Sequence, residues 1–441
     1  LGNARGAAIS AVGGIGGAGK TCLAVHAAHA LCGQGKFKDG VVMVDMLGTT
    51  DPISLAQAAA KVIRAFEPMA QMSDDLSGVL DLYRTVLRGK QALIVLDNAK
   101  DTAQVKDLIP SEPTAVLITS RNRIKVMGIK EIDLEALELD KAVQLLRNEA
   151  GEDRLSEDEA KDIAGLCHCL PLALRAAGAF LGEHPLWTVE DYTKALRDES
   201  QRLEKLDCED HSVQAVLRLS VEQLFTDDGG LGVRWLGLTI FPGDFDPNAA
   251  HAMWRGASLE EDRGHIEALW RRRLVIIDKE TGRIRLHDLL RDVGRSVLAE
   301  QVASGKLDEE FEYNARKAHA QHYRKVLAQA KELYKQGNEA ILEGLALFDL
   351  ERNNLESGQT WAAANWEHDE EAAEECNKYP NAGVYVLDLR LHARQRIEWL
   401  TSASSAADKI GDKRGQGKHL GNLGNAHAAL SEPRKAIEYY E

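Results

Sequence analysis

Three short runs along the chain are almost wholly apolar: Val41-Val42-Met43-Val44-Asp45, Ala92-Leu93-Ile94-Val95-Leu96 and Ala115-Val116-Leu117-Ile118-Thr119. A strand with one face in water alternates, whereas a strand buried on both faces of a parallel sheet reads as a continuous apolar run. These runs therefore predict inner strands, and Ala8-Ile9-Ser10-Ala11-Val12 adds another near the start. Between them apolar residues recur at three-to-four spacing, as at Leu76, Val79-Leu80, Tyr83 and Val86-Leu87, which predicts amphipathic helices. Residues 1–135 thus read as a doubly wound α/β domain.

From about residue 136 the strand signals vanish. Residues 136–205 read as a small helical domain. Lys141–Leu146 is amphipathic, Ser156 and Glu159 form a capping box, Pro171 suits a first helical position, and Thr188 with Asp191 caps a further helix. A charged linker is expected over Asp198–Asp210. Residues 206–303 read as three helical stretches, then Leu274–Asp278, the turn Lys279-Glu280-Thr281-Gly282, and Arg283–His287. Helices followed by a hairpin predict a winged helix. Residues 304–378 read as a helical linker whose acidic run, Glu367–Glu375, is a solvated helix face. In residues 379–441 the run Ile437-Glu438-Tyr439-Tyr440 echoes Ile397-Glu398-Trp399-Leu400, the periodicity of stacked helical hairpins. The fold class expected is multidomain α/β plus α: a P-loop parallel sheet, a helical bundle, a winged helix, a helical linker and the start of an α-solenoid.

Composition narrows this picture a little. A chain of 441 residues exceeds what one core usually supports, so several domains are expected. A net charge of −15 argues against a general surface for nucleic acid or anionic membrane. No apolar run approaches the length of a membrane span. Six cysteines without a Cys-x-x-Cys pair point to a reducing, cytoplasmic compartment. Cys167-His168-Cys169 makes a poor zinc site and reads as small buried residues on a helix. The chain opens on Leu1 and is expected to be a fragment, with a targeting or effector segment upstream and further repeats downstream.

The chemistry concentrates after the first strand. Gly14-Ile15-Gly16-Gly17-Ala18-Gly19-Lys20-Thr21 fits G-x-x-x-x-G-K-[ST], followed by a helical pattern from Cys22. Glycines let successive N–H groups turn inward on phosphates with no Cβ in the way. Lys20 supplies a point charge to the β and γ oxygens, the Thr21 hydroxyl is placed for Mg²⁺, and the helix opening adds its positive end. Gly14, Gly16, Gly17, Ala18, Gly19, Lys20, Thr21 and Cys22 are the nucleotide-binding candidates here. Asp97 follows four apolar residues at a strand's carboxyl end, where a carboxylate holds the Mg²⁺ shell. Arg121, after Thr119-Ser120, can reach a γ-phosphate. Lys20, Asp97 and Arg121 are the catalytic candidates, and Thr21 and Asp97 the metal candidates.

The order of phosphate loop, Leu96-Asp97-Asn98, Thr119-Ser120-Arg121, Cys169-Leu170-Pro171-Leu172 and Leu286-His287-Asp288 resembles the NB-ARC signal-transduction NTPases, over about residues 6–300. The nearest likeness is to bacterial members with tetratricopeptide repeats; His419–Ala426 with Ala436 and Tyr440 resembles one such repeat. The resemblance implies a cytoplasmic ATP/ADP switch with Mg²⁺, Pro171 packed on adenine, and His287 on the β-phosphate of ADP. It implies slow hydrolysis, opening and self-association on exchange to ATP, and an unknown trigger sensed by the repeats, for signalling or defence. Two positions depart from the pattern. Many relatives carry a second acid where this chain has Asn98, and an amide cannot accept a proton at neutral pH, so hydrolysis is slow or uses another group such as Asp101. Only Leu1–Ala7 precede the first strand, so the segment that walls adenine in relatives is short or missing. The competing classes are a winged-helix DNA-binding regulator, with Arg271-Arg272-Arg273 as its evidence, and a plain turnover NTPase.

Overall fold

The computed structural model describes residues 6–11, 16–49, 52–73, 75–205 and 211–441. Strand β1 (Gly6–Ala11) precedes α1 (Lys20–Gly33), β2 (Gly40–Asp45), α2 (Leu55–Phe66), α3 (Leu76–Leu87) and β3 (Ala92–Ala99). The single turn α4 (Thr102–Val105), β4 (Ala115–Ser120) and β5 (Ile129–Leu134) complete a five-stranded sheet ordered β2-β3-β4-β1-β5. Every pairing is parallel. Leu93 and Val95 of β3 and Leu117 of β4 pack with Ala24 and Ala28 of α1, whose small side chains let the helix lie close to the sheet. The apolar runs at 92 and 115 are inner strands, as is β1, whereas the run at 41 forms β2 at the sheet edge with Val41 and Met43 exposed, because among the described residues only β3 pairs with it. Strand β5 escapes a search for apolar runs because Ile129-Lys130-Glu131-Ile132-Asp133-Leu134 alternates, as suits an edge strand with one wet face.

Helices α5 (Leu139–Ala150), α6 (Glu157–Leu166), α7 (Pro171–Glu183) and α8 (Val189–Lys205) follow. Ser156 and Glu159 exchange both bonds of a capping box, and the Thr188 hydroxyl caps α8 by accepting from Asp191 N. Two expectations change here. Residues 198–205 are the last turns of α8 rather than linker, and 206–210 lie outside the described residues. Cys167 is the C-cap of α6, while His168 and Cys169 form a turn with φ of 50° and 52°, so the cysteines are not on one helix.

Among the described residues four helices, not three, precede the hairpin: α9 (His211–Asp227), α10 (Gly229–Leu238), α11 (Pro247–Trp254) and α12 (Leu259–Arg271). The hairpin strands β6 (Ile276–Ile277) and β7 (Ile284–Arg285) are shorter than the apolar pattern suggested, and they pair antiparallel. Gly282 at φ 70° closes the turn, where the Asp278 carboxylate accepts from the N–H of Glu280 and Thr281. Helix α13 (Asp288–Ala303) begins directly after it.

The rest is helical: α14 (Phe311–Gln336), α15 (Glu339–Asn365), α16 (Glu370–Ala382), α17 (Val384–Arg390), α18 (Ala393–Lys409), α19 (Lys413–Ala429) and α20 (Pro433–Tyr440). Glu367, Glu370, Glu371 and Glu374 are exposed as expected, but Glu375 is buried against Arg324, 2.5 Å away. Small residues sit where the terminal helices cross: a Cβ on Gly424 of α19 would strike the Tyr440 ring of α20.

Packing divides the chain into two compact units. The first comprises Leu1–Ala58, Arg84–Thr239 and Ser258–Leu307; the second comprises Ala59–Tyr83, Ile240–Ala257 and Asp308–Glu441. Within the first, Trp235 of α10 is fully buried and donates its indole N–H to Leu274 O, tying the helices to the hairpin. Within the second, Phe241 and Phe245 stack at 3.9 Å, and Arg64 and Arg390 converge on Asp349 at 3.4 and 2.9 Å. Among the described residues no helix is long and apolar enough to cross a membrane.

Candidate functional site

All the described candidate residues lie in the first unit. Gly14 is outside the described residues; Gly16 and Ala18 are buried, and Gly17 and Gly19 take φ of 81° and 94°. That left-handed backbone is strained for any side chain, which explains glycine at these two positions. Gly19 is the N-cap of α1, and Lys20 and Thr21 open the helix. No acidic side chain stands in the first turn and no side chain caps it. The positive dipole end of the helix thus meets no acidic residue of its own first turn, an arrangement suited to an anion. Cys22 contributes its backbone amide to that turn, and its exposed Sγ lies 3.7 Å from His26 Nδ1.

Asp97 is 4% exposed, and its Oδ1 accepts from the Thr21 hydroxyl at 2.8 Å and from the Thr119 hydroxyl at 2.5 Å. Thr119 Oγ1 in turn accepts from Asn98 N at 2.9 Å. The carboxylate is thus oriented by the phosphate-loop threonine on one side and by the neighbouring strand on the other. A hydroxyl and a carboxylate so placed fit a hard cation, Mg²⁺ in particular. Among the described residues no three His, Cys, Asp or Glu side chains gather to hold a metal by themselves. A cation here would need phosphate oxygens and water to complete its shell.

Helix α7 starts on the phosphate loop. Leu172 N donates to Gly17 O at 3.3 Å, and a Cβ on Gly17 would come within 3.0 Å of Leu172 Cβ. Pro171 occupies the first helical position, where its missing N–H costs nothing. Cys169 stands where the resembled pattern has glycine, and its φ of 52° supplies the physical reason for that glycine.

His287 is the N-cap of α13: its Nδ1 accepts from Leu289 N at 3.2 Å. In the neutral ring the proton therefore sits on Nε2, which is left as a donor. Burial lowers the His287 pKa to about 4; Asp288 pulls the other way, while Arg285, Arg121 and Lys20 add to the lowering. The ring is neutral at pH 7. It also lies within electrostatic reach of both Lys20 and Arg121, so the two cations and the imidazole share one neighbourhood. Asp288 is pushed up by burial, but the Thr49 hydroxyl bond, the adjoining imidazole and the charges of Arg291 and Arg121 outweigh this and hold it below its ordinary value.

Several residues in this neighbourhood carried no assigned role in the sequence. Thr119 lies two positions before Arg121, and its hydroxyl orients Asp97. Thr49 and Asn98 both bond Asp288, and no local pattern announces that. Asp101 caps α4, its Oδ1 accepting from Gln104 N at 3.0 Å.

Residues 1–156 match the NB-ARC domain family. The chain is 35% identical over 295 residues to the regulatory protein AfsR of Streptomyces coelicolor, covering 66% of this chain and 29% of that protein. It is 23% identical to the disease resistance protein RUN1 of Vitis rotundifolia over 65% of this chain and 21% of that one. A signal transduction ATPase with numerous domains (STAND) and a tetratricopeptide-repeat sensor from Pyrococcus horikoshii aligns over 99% of this chain and 74% of its own, at 15% identity and a TM-score of 0.44. The chain spans less than a third of the curated relatives it matches, as the 29% coverage of AfsR shows.

Proposed function

From the premise that this chain carries an NB-ARC domain of the STAND NTPases, we propose that it is an ATP/ADP-gated switch, closed around ADP and released by exchange to ATP. One observation carries the reading: His287, at the start of α13, shares a neighbourhood with Lys20 of the phosphate loop and Arg121, the residue that follows β4. Such a meeting of distant segments would let one nucleotide touch the sheet, the α7 end and α13 at once. Contacts that differ between diphosphate and triphosphate bias a bistable arrangement.

In this reading the loop from Gly14 to Thr21 with Cys22 N cradles the phosphates, and Lys20 neutralises them. Thr21 and Asp97 hold Mg²⁺, which would supply charge neutralisation at the β and γ oxygens. Arg121 reads the γ-phosphate, Pro171 packs on adenine, and His287 Nε2–H donates to the β-phosphate of ADP. Residues 379–441 are the start of the sensor, and exchange leads to self-association in signalling or defence.

The DNA-binding alternative loses its best support. Arg273 donates to Glu149 Oε2 from two nitrogens, at 3.1 and 2.5 Å, and Arg272 reaches Asp227 at 3.4 Å. Two arginines of the basic triplet are thus held by carboxylates of the same unit. The test is to denature the purified protein, identify the released nucleotide, and compare wild type with Lys20→Ala. ADP released from wild type and lost in Lys20→Ala is expected. A ligand at 100 times its Kd stabilises by about 2.7 kcal/mol, so wild type alone should melt higher in saturating ADP. Equal melting of both, with steep salt-dependent DNA affinity, would favour the regulator instead.

A further inference from the structure

Asn98 stands where an acid would serve as the water-activating base, and its side chain is already occupied. Its Nδ2 lies 3.1 Å from Thr49 Oγ1 and 3.1 Å from Asp288 Oδ2. A carboxylate can only accept, so the amide must present its nitrogen to Asp288. The Thr49 hydroxyl donates to the same Asp288 oxygen, and Arg291 Nη1 takes the other at 3.2 Å. Three groups from the end of β3, the segment after β2 and α13 thus close a ring of hydrogen bonds directly beside His287.

We propose that Asn98 is a positioning residue. Its neutral amide tethers the amino end of α13, and with it His287, to the end of β3, so a carboxylate cannot take its place while this arrangement holds. An aspartate there would set a second carboxylate against Asp288 at the distance the amide now spans. Thr49 has one hydroxyl proton, already given to Asp288, and like charges that close cannot both stay ionised. Either one traps a proton or the start of α13 moves away. An ionised carboxylate at position 98 and an ionised Asp288 docked against it therefore exclude one another. The amide trades base-assisted hydrolysis for a held diphosphate state, a deepening that rests, for its nucleotide arm, on the switch reading above.

Asn98 has φ 55°, a region that asparagine and aspartate both tolerate, so Asn98→Asp changes charge and leaves the backbone preference alone. The full chain would be compared as wild type, Asn98→Asp, the milder Asp288→Asn, and the double variant that exchanges donor and acceptor. Two quantities are read: backbone hydrogen exchange over residues 288–294 without nucleotide, and affinity for fluorescent ADP. Asn98→Asp should exchange about tenfold or more faster at the start of α13 and bind ADP about tenfold more weakly. Protection of Ala92–Leu96 should be kept, which separates loosening from unfolding. The double variant should recover both to within about threefold of wild type. Wild-type exchange at 288–294 in Asn98→Asp, or a double variant as loose as its single parents combined, overturns the tether. So does faster single-turnover hydrolysis with α13 still protected. If wild type binds no ADP, the switch reading fails and the exchange data alone decide the tether.

Discussion

Removing the His287 ring deletes two things at once, and the structure shows how to separate them. Nδ1 caps α13 by accepting from Leu289 N, and in the proposed switch Nε2–H donates to a phosphate. Loss of an N-cap costs about 0.5–2 kcal/mol. Loss of a hydrogen bond to a charged group costs about 1.5–3 kcal/mol, or roughly ten- to 150-fold in affinity. His287→Ala loses both; His287→Asn keeps a strong capping oxygen but is too short to reach as far as Nε2. Melting of the nucleotide-free proteins isolates the cap: His287→Ala should fall by a few degrees, about what 1 kcal/mol yields in a large domain, while His287→Asn stays near wild type. Titration with ADP and ATP isolates the phosphate contact: both variants should lose ADP affinity by that factor and keep ATP affinity within a few fold. Light scattering should then show more extended or associated protein. The latch is refuted if His287→Asn binds ADP like wild type, or if both nucleotides weaken equally.

The other expectations are simpler to read. Cys169→Gly relieves a left-handed residue, worth about 1–2 kcal/mol, against about 0.4–1 kcal/mol of added freedom in the unfolded chain. Denaturant titration should show a small net stabilisation, and a loss would mean that the thiol's packing outweighs the strain. Burial takes His287 to a pKa of about 4 and His319 to about 3, both below the ordinary 6.5. Between those values the unfolded chain binds more protons, so stability rises with pH there and is lost as pH falls from about 6.5 towards 3. Melting temperatures over that range should decline steadily, and the decline should shrink when His319 is replaced by a neutral residue that folds.

The parts legible in the sequence were those settled within a few residues. The apolar runs at 92 and 115 could be read because strands buried on both faces must be apolar throughout. The capping box at Ser156 and the start of α7 at Pro171 could be read because cap chemistry is satisfied within one helical turn. The phosphate loop was legible because its glycines answer to backbone geometry, as φ at Gly17 and Gly19 attests. Tertiary structure decided whatever depends on a partner far along the chain. Strand β5 is a strand because β1 offers it a full register of bonds, although its own residues alternate like many a surface segment. Glu375 left the solvated acidic face because Arg324 stands opposite it, and Arg272 and Arg273 left the basic triplet for Asp227 and Glu149. Asn98 read as a missing base until Asp288, brought to it by the packing of α13, made it a donor. A polar side chain's role is set by whichever group meets it once water is displaced, and only the folded chain determines that meeting.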